Sequence, residues 1–356
     1  MRKLGISIYP EHATFEKNKT YLNLAKKYGF TRIFTCLLSS DGDLDTFKKT
    51  ISYAKNLNFK IIADVSPAVL NKLGVDYDNL EFFNTLNVDG LRLDESYSGN
   101  EESIMTFNPY ELIIELNAST GTKYLENILS YHPNLHKLTG CHNFYPKRLS
   151  GLSKENFIKS SLDFKKAGIR LAAFVNSQNA TFGPWNISEG LCTLEEHRDL
   201  PIDTQAKDLF YSDLIDDVII ANCFASEEEL KKLSEINKEL ITLDIETEIE
   251  LSDTEYNIVF KELHYYRGDA SNYTIRSTMP RIKYTNSIPP KNTRDIQKGD
   301  VFIENDNYLR YKGELHIALQ NIKNNGKSNV IGRISNNDLR FLDIITPWKK
   351  FKLKKL

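Results

Sequence analysis

Cysteine is scarce in this sequence, and what there is carries no spacing for chemistry. Cys36, Cys141, Cys192 and Cys223 form no CxxC pair and no Cys/His ligand pattern. That excludes a disulfide framework and a Cys/His metal site. Their neighbours are mostly apolar, so they are expected as buried free thiols in a reducing compartment. An excess of one charge is also missing: 46 basic residues stand against 48 acidic ones, a net of -2. Neither nucleic acid nor an anionic membrane finds an electrostatic footprint here, and the lysine-rich "WKKFKLKK" near the end reads as a solvated terminus. No run approaches the roughly 18 apolar residues of a membrane span. The opening "MRKLGISIYP" is already a strand pattern with no apolar stretch of signal-peptide length, so the expected location is cytoplasmic. A GxSxG elbow, a glycine-rich phosphate loop, a solenoid repeat and a low-complexity linker are all absent.

What is present is alternation. Of the 356 residues, 40% are apolar, enough for a sizeable core. Eight near-continuous apolar runs occur in the first two thirds: 4–10, 32–38, 60–66, 89–94, 111–119, 135–144, 169–177 and 217–222. Such runs are expected for parallel strands covered on one face by helices and on the other by a packed interior. Stretches of helical period lie between them. "KNKTYLNLAKKYGF" sets Tyr21, Leu24, Ala25 and Tyr28 on one face and stops at Gly29, a plausible C-cap. "KENFIKSSLDFKKAG" follows Ser153 and ends at Gly168. Ser226 precedes Glu229 by three residues, the spacing of a capping box. Eight βα units in about 240 residues are the count and size of a (β/α)8 TIM barrel. The weakest joints are the third helical segment and the stretch from 178 to 212. Beyond about residue 240 helical periodicity gives way to short alternating runs parted by turn signals such as "NNGK" and "PP". The expected organisation is a barrel over 1–238 and a small all-β domain, a closed barrel, over 239–356.

In a (β/α)8 barrel the active site lies at the C-terminal ends of the strands. Read in order, those ends offer Tyr9 and Glu11; Asp64; Asp94 and Glu95; Asn117; His142, Asn143 and Tyr145; and Asn176 and Gln178. A single Asn or Asp at such a place is often a cap or turn residue. For Asp64 the two readings stand even, and for Ser119 and Thr120 capping is the better one. Arg92 shares a face with Asp94 two positions on, which marks either a structural pair or a device that keeps Asp94 ionised. A whole rim of carboxylates, amides, His and Tyr is harder to obtain from capping alone. It suits sugar chemistry, with two carboxylates as acid and base or acid and nucleophile. The amides, His142, Tyr145 and Trp185 would supply hydrogen bonds and a stacking face. A metal held by His142 and Asp94 is the weaker reading, because the spacing carries no signature; no metal and no organic cofactor are expected.

A long loop, 179–201, follows the seventh strand, where long loops line or cover the site. "TLEEHR" within it is read as the first turns of a helix, with Glu195, His197 and Arg198 as site contacts and Glu196 as a solvated charge.

In order along the chain, "GISIYP", "DVSP", "GLRLD", "LNAST", "HNFYP", "GLCTLEEHR", "RSTMPR" and "RYKGELHIAL" resemble the bacterial 6-phospho-N-acetylmuramidase family. The resemblance spans essentially the whole chain. It implies a barrel followed by a cyclophilin-like β-domain. The activity it implies is cleavage of N-acetylmuramic acid 6-phosphate linked to N-acetylglucosamine, inside the cell, in cell-wall (peptidoglycan) recycling. It makes Asp64 and Asp94 the central acidic residues, with Glu11 a third. Another sugar-phosphate enzyme of the barrel class, an isomerase or lyase, and a non-catalytic carbohydrate-binding protein are the alternatives. For the phosphate, "YTIRSTMPR" offers Arg276, Ser277, Thr278 and Arg281 in one stretch, a set suited to bidentate capture; Arg148 and Arg198 on barrel loops are the other candidates.

Overall fold

In a computed structural model, which describes residues 1–37, 44–181, 183–184 and 189–356, the chain forms two compact units, Met1–Ile236 and Asn237–Leu356. In the first, eight parallel strands close into a barrel: β1 (Lys3–Ser7), β2 (Arg32–Cys36), β3 (Lys60–Val65), β4 (Gly90–Leu93), β5 (Ile113–Asn117), β6 (Leu138–Cys141), β7 (Leu171–Val175) and β8 (Asp217–Ile220), with β1 pairing both β2 and β8. Each apolar run holds one strand. Buried on both faces, β2 and β7 have no exposed position, which is why they read as continuous rather than alternating. The strands are shorter than their runs. Leu135–Lys137 is a 3-10 turn in which the Asn134 side chain accepts from His136 N, and only Leu138–Cys141 is strand.

The helices of this unit are α1 (Phe15–Lys27), α2 (Leu44–Asn56), α3 (Pro67–Leu73), α4 (Glu81–Thr85), α5 (Asn100–Met105), α6 (Tyr124–Ser130), α7 (Lys154–Lys166), α8 (Ile202–Tyr211) and α9 (Glu227–Ser234). Their ends follow local chemistry. The Ser153 side chain accepts from Asn156 N and starts α7. Gly29 and Gly168, at φ 78° and 71°, take the left-handed conformation that ends α1 and α7. Ser226 and Glu229 form the expected reciprocal box at α9. "TLEEHR" departs from expectation. Glu195–His197 is a 3-10 turn, and α8 begins only at Ile202. Pro201 disfavours helical backbone at the residue before it, so no helix continues from 195 into α8.

Phe34, Phe144 and Phe174 meet edge to face inside the barrel, with centroids 5.0–5.9 Å apart. Cys36, Cys141 and Cys223 pack in the same cluster. All four cysteines are buried thiols.

The second unit is mostly sheet and barrel-like. Seven strands, β9 (Ile241–Thr247), β10 (His264–Tyr265), β11 (Thr274–Ser277), β12 (Asp300–Glu304), β13 (Leu315–Ala318), β14 (Ser328–Ile334) and β15 (Lys350–Lys355), run in the order β10-β15-β9-β14-β12-β13-β11. Arg267 N donates to Arg276 O, which brings the two ends of that order together.

Candidate active site

Barrel register sets the site. Asp64 on β3 lies opposite Arg92 on β4, and Arg92 lies opposite Glu115 on β5. Partners across a parallel ladder project to the same side, here the barrel interior, so three adjacent strands each send in one ionisable group. They sort into two tiers. In the lower tier Arg32 holds Glu115 at 2.6 Å and Asp217 at 3.0 Å, all three buried. In the upper tier Arg92 Nη1 donates to Asp64 Oδ1 at 2.5 Å and to Asp94 Oδ1 at 3.1 Å, while Nη2 donates to Asn143 Oδ1. Both carboxylate oxygens hang on one nitrogen, so they stand no further apart than those two lengths laid end to end, under about 6 Å.

The two carboxylates differ in setting. The Asp64 side chain is 16% exposed and that of Asp94 48%. Burial pushes Asp64 up to about 6; Arg92 pulls the other way, and the charge of Asp94 adds to the rise. Asp64 does not cap a helix: Ser66 caps α3, accepting from Val69 N. Asn117 Nδ2 donates to the Asp94 carbonyl at 2.9 Å and fixes the backbone behind it. Tyr145 is half-buried beside Asn143, its phenol pushed up by burial. Asp64, Asp94, Asn117, Asn143 and Tyr145 are thus brought together.

Several other expected residues of this unit are not. Tyr9 is buried, its hydroxyl donating to Ala221 O at 2.6 Å. His142 is fully buried; Nδ1 meets Ser119 Oγ at 3.1 Å and Nε2 meets Ser161 Oγ at 2.9 Å. Burial and Arg92 pull it down to about 3, so it is a neutral packing residue rather than a sugar contact or metal ligand. Asn176 is buried and occupied by Arg198 O and Leu191 N, although it edges a cleft. Arg198 spends its donors on Glu195 and on the carbonyls of Tyr145, Lys147, Glu189 and Gly190. Glu195, drawn down to about 2 by Arg198, also accepts from Leu149 N and Gly151 N. This pair shapes loops and has no donor to spare. His197 is buried against Asp208 at 2.9 Å. In the second unit Arg276 and Arg281 both hold the fully buried Glu314 carboxylate, at 2.8 and 2.9 Å, and Ser277 is buried against His264. Their charge is consumed internally. The Glu11 side chain and Trp185 lie outside the described residues.

Ser119 and Thr120 do not play the capping role expected of them. Neither caps α6, whose N-cap Lys123 makes no side-chain bond. Ser119 Oγ instead accepts from Asn143 N at 2.9 Å. The signal for this was the run of hydroxyls after β5, which helix-start rules claim by default. Among the described residues one trio, Glu196, His197 and Asp208, has the closeness of metal ligands. The Lys154 ammonium lies 3.6 Å from Glu196 and 3.3 Å from Asp208, so a lysine already supplies the cation. Two clefts flank the mouth. One of about 230 Å³ lies between the loop after β5 and α7; one of about 170 Å³ lies between the loops after β7 and β8.

Both units match the 6-phospho-N-acetylmuramidase family, its N-terminal part over residues 4–235 and its C-terminal part over 241–354. Among solved structures the chain is similar to an uncharacterised B. cereus protein, 47% identical over 99% of both chains with a TM-score of 0.94. It is also similar to a conserved Enterococcus faecalis protein of unknown function, 27% identical over 99% of this chain and 96% of that one, with a TM-score of 0.71. No curated protein matches it.

Proposed function

The chain belongs to the 6-phospho-N-acetylmuramidase family, and we propose that it is a cytoplasmic glycosidase that cleaves N-acetylmuramic acid 6-phosphate from N-acetylglucosamine during cell-wall recycling. The observation that carries the reading is the pair of carboxylates bridged by Arg92, one mostly buried and pushed up to about 6 by that burial, the other exposed. Two neighbouring carboxyls in different settings, one of them raised by burial, are what a glycosidase divides into acid and nucleophile or base.

In this reading Asp64 holds its proton and gives it to the glycosidic oxygen as the bond from the anomeric carbon breaks. Asp94, the more accessible of the two, attacks that carbon. Water, giving its proton to the Asp64 carboxylate, then displaces Asp94 and restores both groups. The upper bound on the nearest-oxygen distance lies below the roughly 6.5–9.5 Å of inverting pairs, which supports this double displacement. Arg92 ties the pair together, one guanidinium nitrogen donating to both carboxylates.

The test is hydrolysis of an aryl glycoside of N-acetylmuramic acid 6-phosphate, with the first-formed anomer read by proton NMR. Aglycone release with retained configuration is expected. Release with inversion would make Asp94 a base rather than a nucleophile, and no release at all would sink the glycosidase reading.

A further inference from the structure

The loop that leaves β5, residues 117–123, reads Asn-Ala-Ser-Thr-Gly-Thr-Lys. Gly121 takes φ 65°, a left-handed turn that suits glycine. Across that turn the Thr120 and Thr122 hydroxyls come within 3.3 Å of each other. They line the larger cleft, and Lys159 of α7 lines it from the opposite wall. Among the described residues the Lys159 ammonium makes no ion pair, whereas Lys154 on the same helix is held by Glu196 and Asp208. Two adjoining hydroxyls and an uncommitted ammonium form a cationic, donor-rich pocket.

The cleft shares two residues, Asn117 and Ser119, with the bonds that support the carboxylate pair. Asn117, in its lining, holds the Asp94 carbonyl, and Ser119 accepts from Asn143 N, whose side chain Arg92 holds.

We propose that this cleft is the subsite for the substrate's phosphate, an inference that rests on the glycosidase reading above. A tetrahedral dianion accepts from several directions at once, which two threonines and a mobile ammonium supply. The competing places have their cations spent. Barrel enzymes often seat phosphate at the loops after strands 7 and 8, but that cleft carries Glu189 and Asp199, its Arg198 is saturated, and its Arg148 is in a bidentate pair with Asp199. In the second unit Arg276 and Arg281 serve Glu314. The acidic residue of the proposed cleft, Asp163, lies one turn beyond Lys159. Because α7 starts at the mouth and descends, Lys159 is nearer the rim.

The experiment compares Lys159→Ala and the double variant Thr120→Val/Thr122→Val with wild type, taking Lys165→Ala, an exposed charge on the same helix, as control. The first readout is the ratio of kcat/KM for aryl muraminides with and without the 6-phosphate. That ratio is expected to fall at least tenfold in both cleft variants and to hold in the control. The second is calorimetric binding of inorganic phosphate, expected to weaken at least tenfold in Lys159→Ala. An unchanged ratio overturns the subsite. So does a loss that vanishes on a 6-phosphorylated substrate lacking the lactyl group, which would assign the cleft to the lactyl carboxylate. If wild type hydrolyses neither substrate the glycosidase reading falls, and phosphate binding, equal or weakened in Lys159→Ala, still decides the subsite.

Discussion

Asp64 and Arg92 face each other across the β3–β4 ladder with 2.5 Å between carboxylate and guanidinium, and yet burial pushes Asp64 up to about 6. Burial outweighs the cation, because the charge of Asp94 on the same guanidinium cancels part of its pull. The result is a carboxyl that holds its proton where an ordinary aspartate has lost it.

Asp64→Asn and Asp94→Asn should each lower kcat by about 10²–10⁴-fold, the usual worth of a proton-transfer group, with circular dichroism unchanged. Near-normal turnover in either would remove that residue from the chemistry and turn attention to Glu11. Stability should separate the two. Asp64 is raised from 3.8 to about 6 on folding, so the folded state binds its proton more tightly than the unfolded state. Stability therefore falls as pH climbs through that window, and the loss is complete above it. Asparagine stays neutral at every pH and escapes the loss, on the order of 1–3 kcal/mol. At pH 7.5 the Tm of Asp64→Asn should match or exceed that of wild type; a clear drop would mean the ion pair with Arg92 is net stabilising.

If Asp64 is the acid, kcat/KM should decline as pH rises through about 6. Arg92 favours the ionised form, so Arg92→Gln should move that limb upward by a unit or so as the total rate falls. A limb that stays in place while the rate falls would show that Arg92 positions the carboxylates without tuning them.

The barrel was legible because eight runs are apolar on both faces, a pattern few other architectures produce. The rim residues were legible by type, since strand ends are where polar side chains gather. Which of them face the mouth was not. His142 follows β6 directly, but beyond Cys141 the strand alternation lapses, and its ring turns under Ser119 toward Ser161 on α7. Arg198 promised a free cation, but two backbone segments, 145–147 and 189–190, converge on it, and sequence holds no record of where a loop's carbonyls will point. The Asp64–Arg92 contact was invisible for a related reason: it depends on the β3–β4 register, fixed by closure of the whole barrel. In the second unit, two arginines five positions apart looked like a phosphate site until Glu314, over thirty residues away, was found between them.

Arg276→Ala should therefore act on stability. It leaves the buried Glu314 carboxylate with Arg281 as its remaining guanidinium partner, a loss of about 1–3 kcal/mol, and Arg276→Ala/Arg281→Ala should cost about 3–5 kcal/mol. Urea unfolding followed by tryptophan fluorescence measures both. The ratio of activity on phosphorylated and unphosphorylated substrates should hold in Arg276→Ala; a selective loss on the phosphorylated one would restore Arg276 as a phosphate ligand.

Glu229 joins a helix start to the loop beside the smaller cleft. As the third residue of its capping box it accepts from Ser226 N at 2.9 Å. The same buried carboxylate accepts from Ser177 Oγ at 2.7 Å and Gln178 N at 2.9 Å, at the end of β7. Ser226→Ala removes only the hydroxyl half of the box and should cost about 1 kcal/mol. Glu229→Ala strands donors on both elements, and buried donors without partners cost about 1–3 kcal/mol each when water cannot reach them, so a total of about 2–4 kcal/mol is expected. Glu229→Gln keeps the shape and one acceptor oxygen but turns an amide toward N–H groups, and it should fall between the two. The order of urea midpoints should be wild type, Ser226→Ala, Glu229→Gln, Glu229→Ala. Equal losses for Ser226→Ala and Glu229→Ala would show that the bonds to Ser177 and Gln178 contribute nothing beyond the cap. A further loss confined to Glu229→Ala, with hydrogen exchange quickened at Gln178 N, would show that this carboxylate holds the rim of the barrel mouth in place.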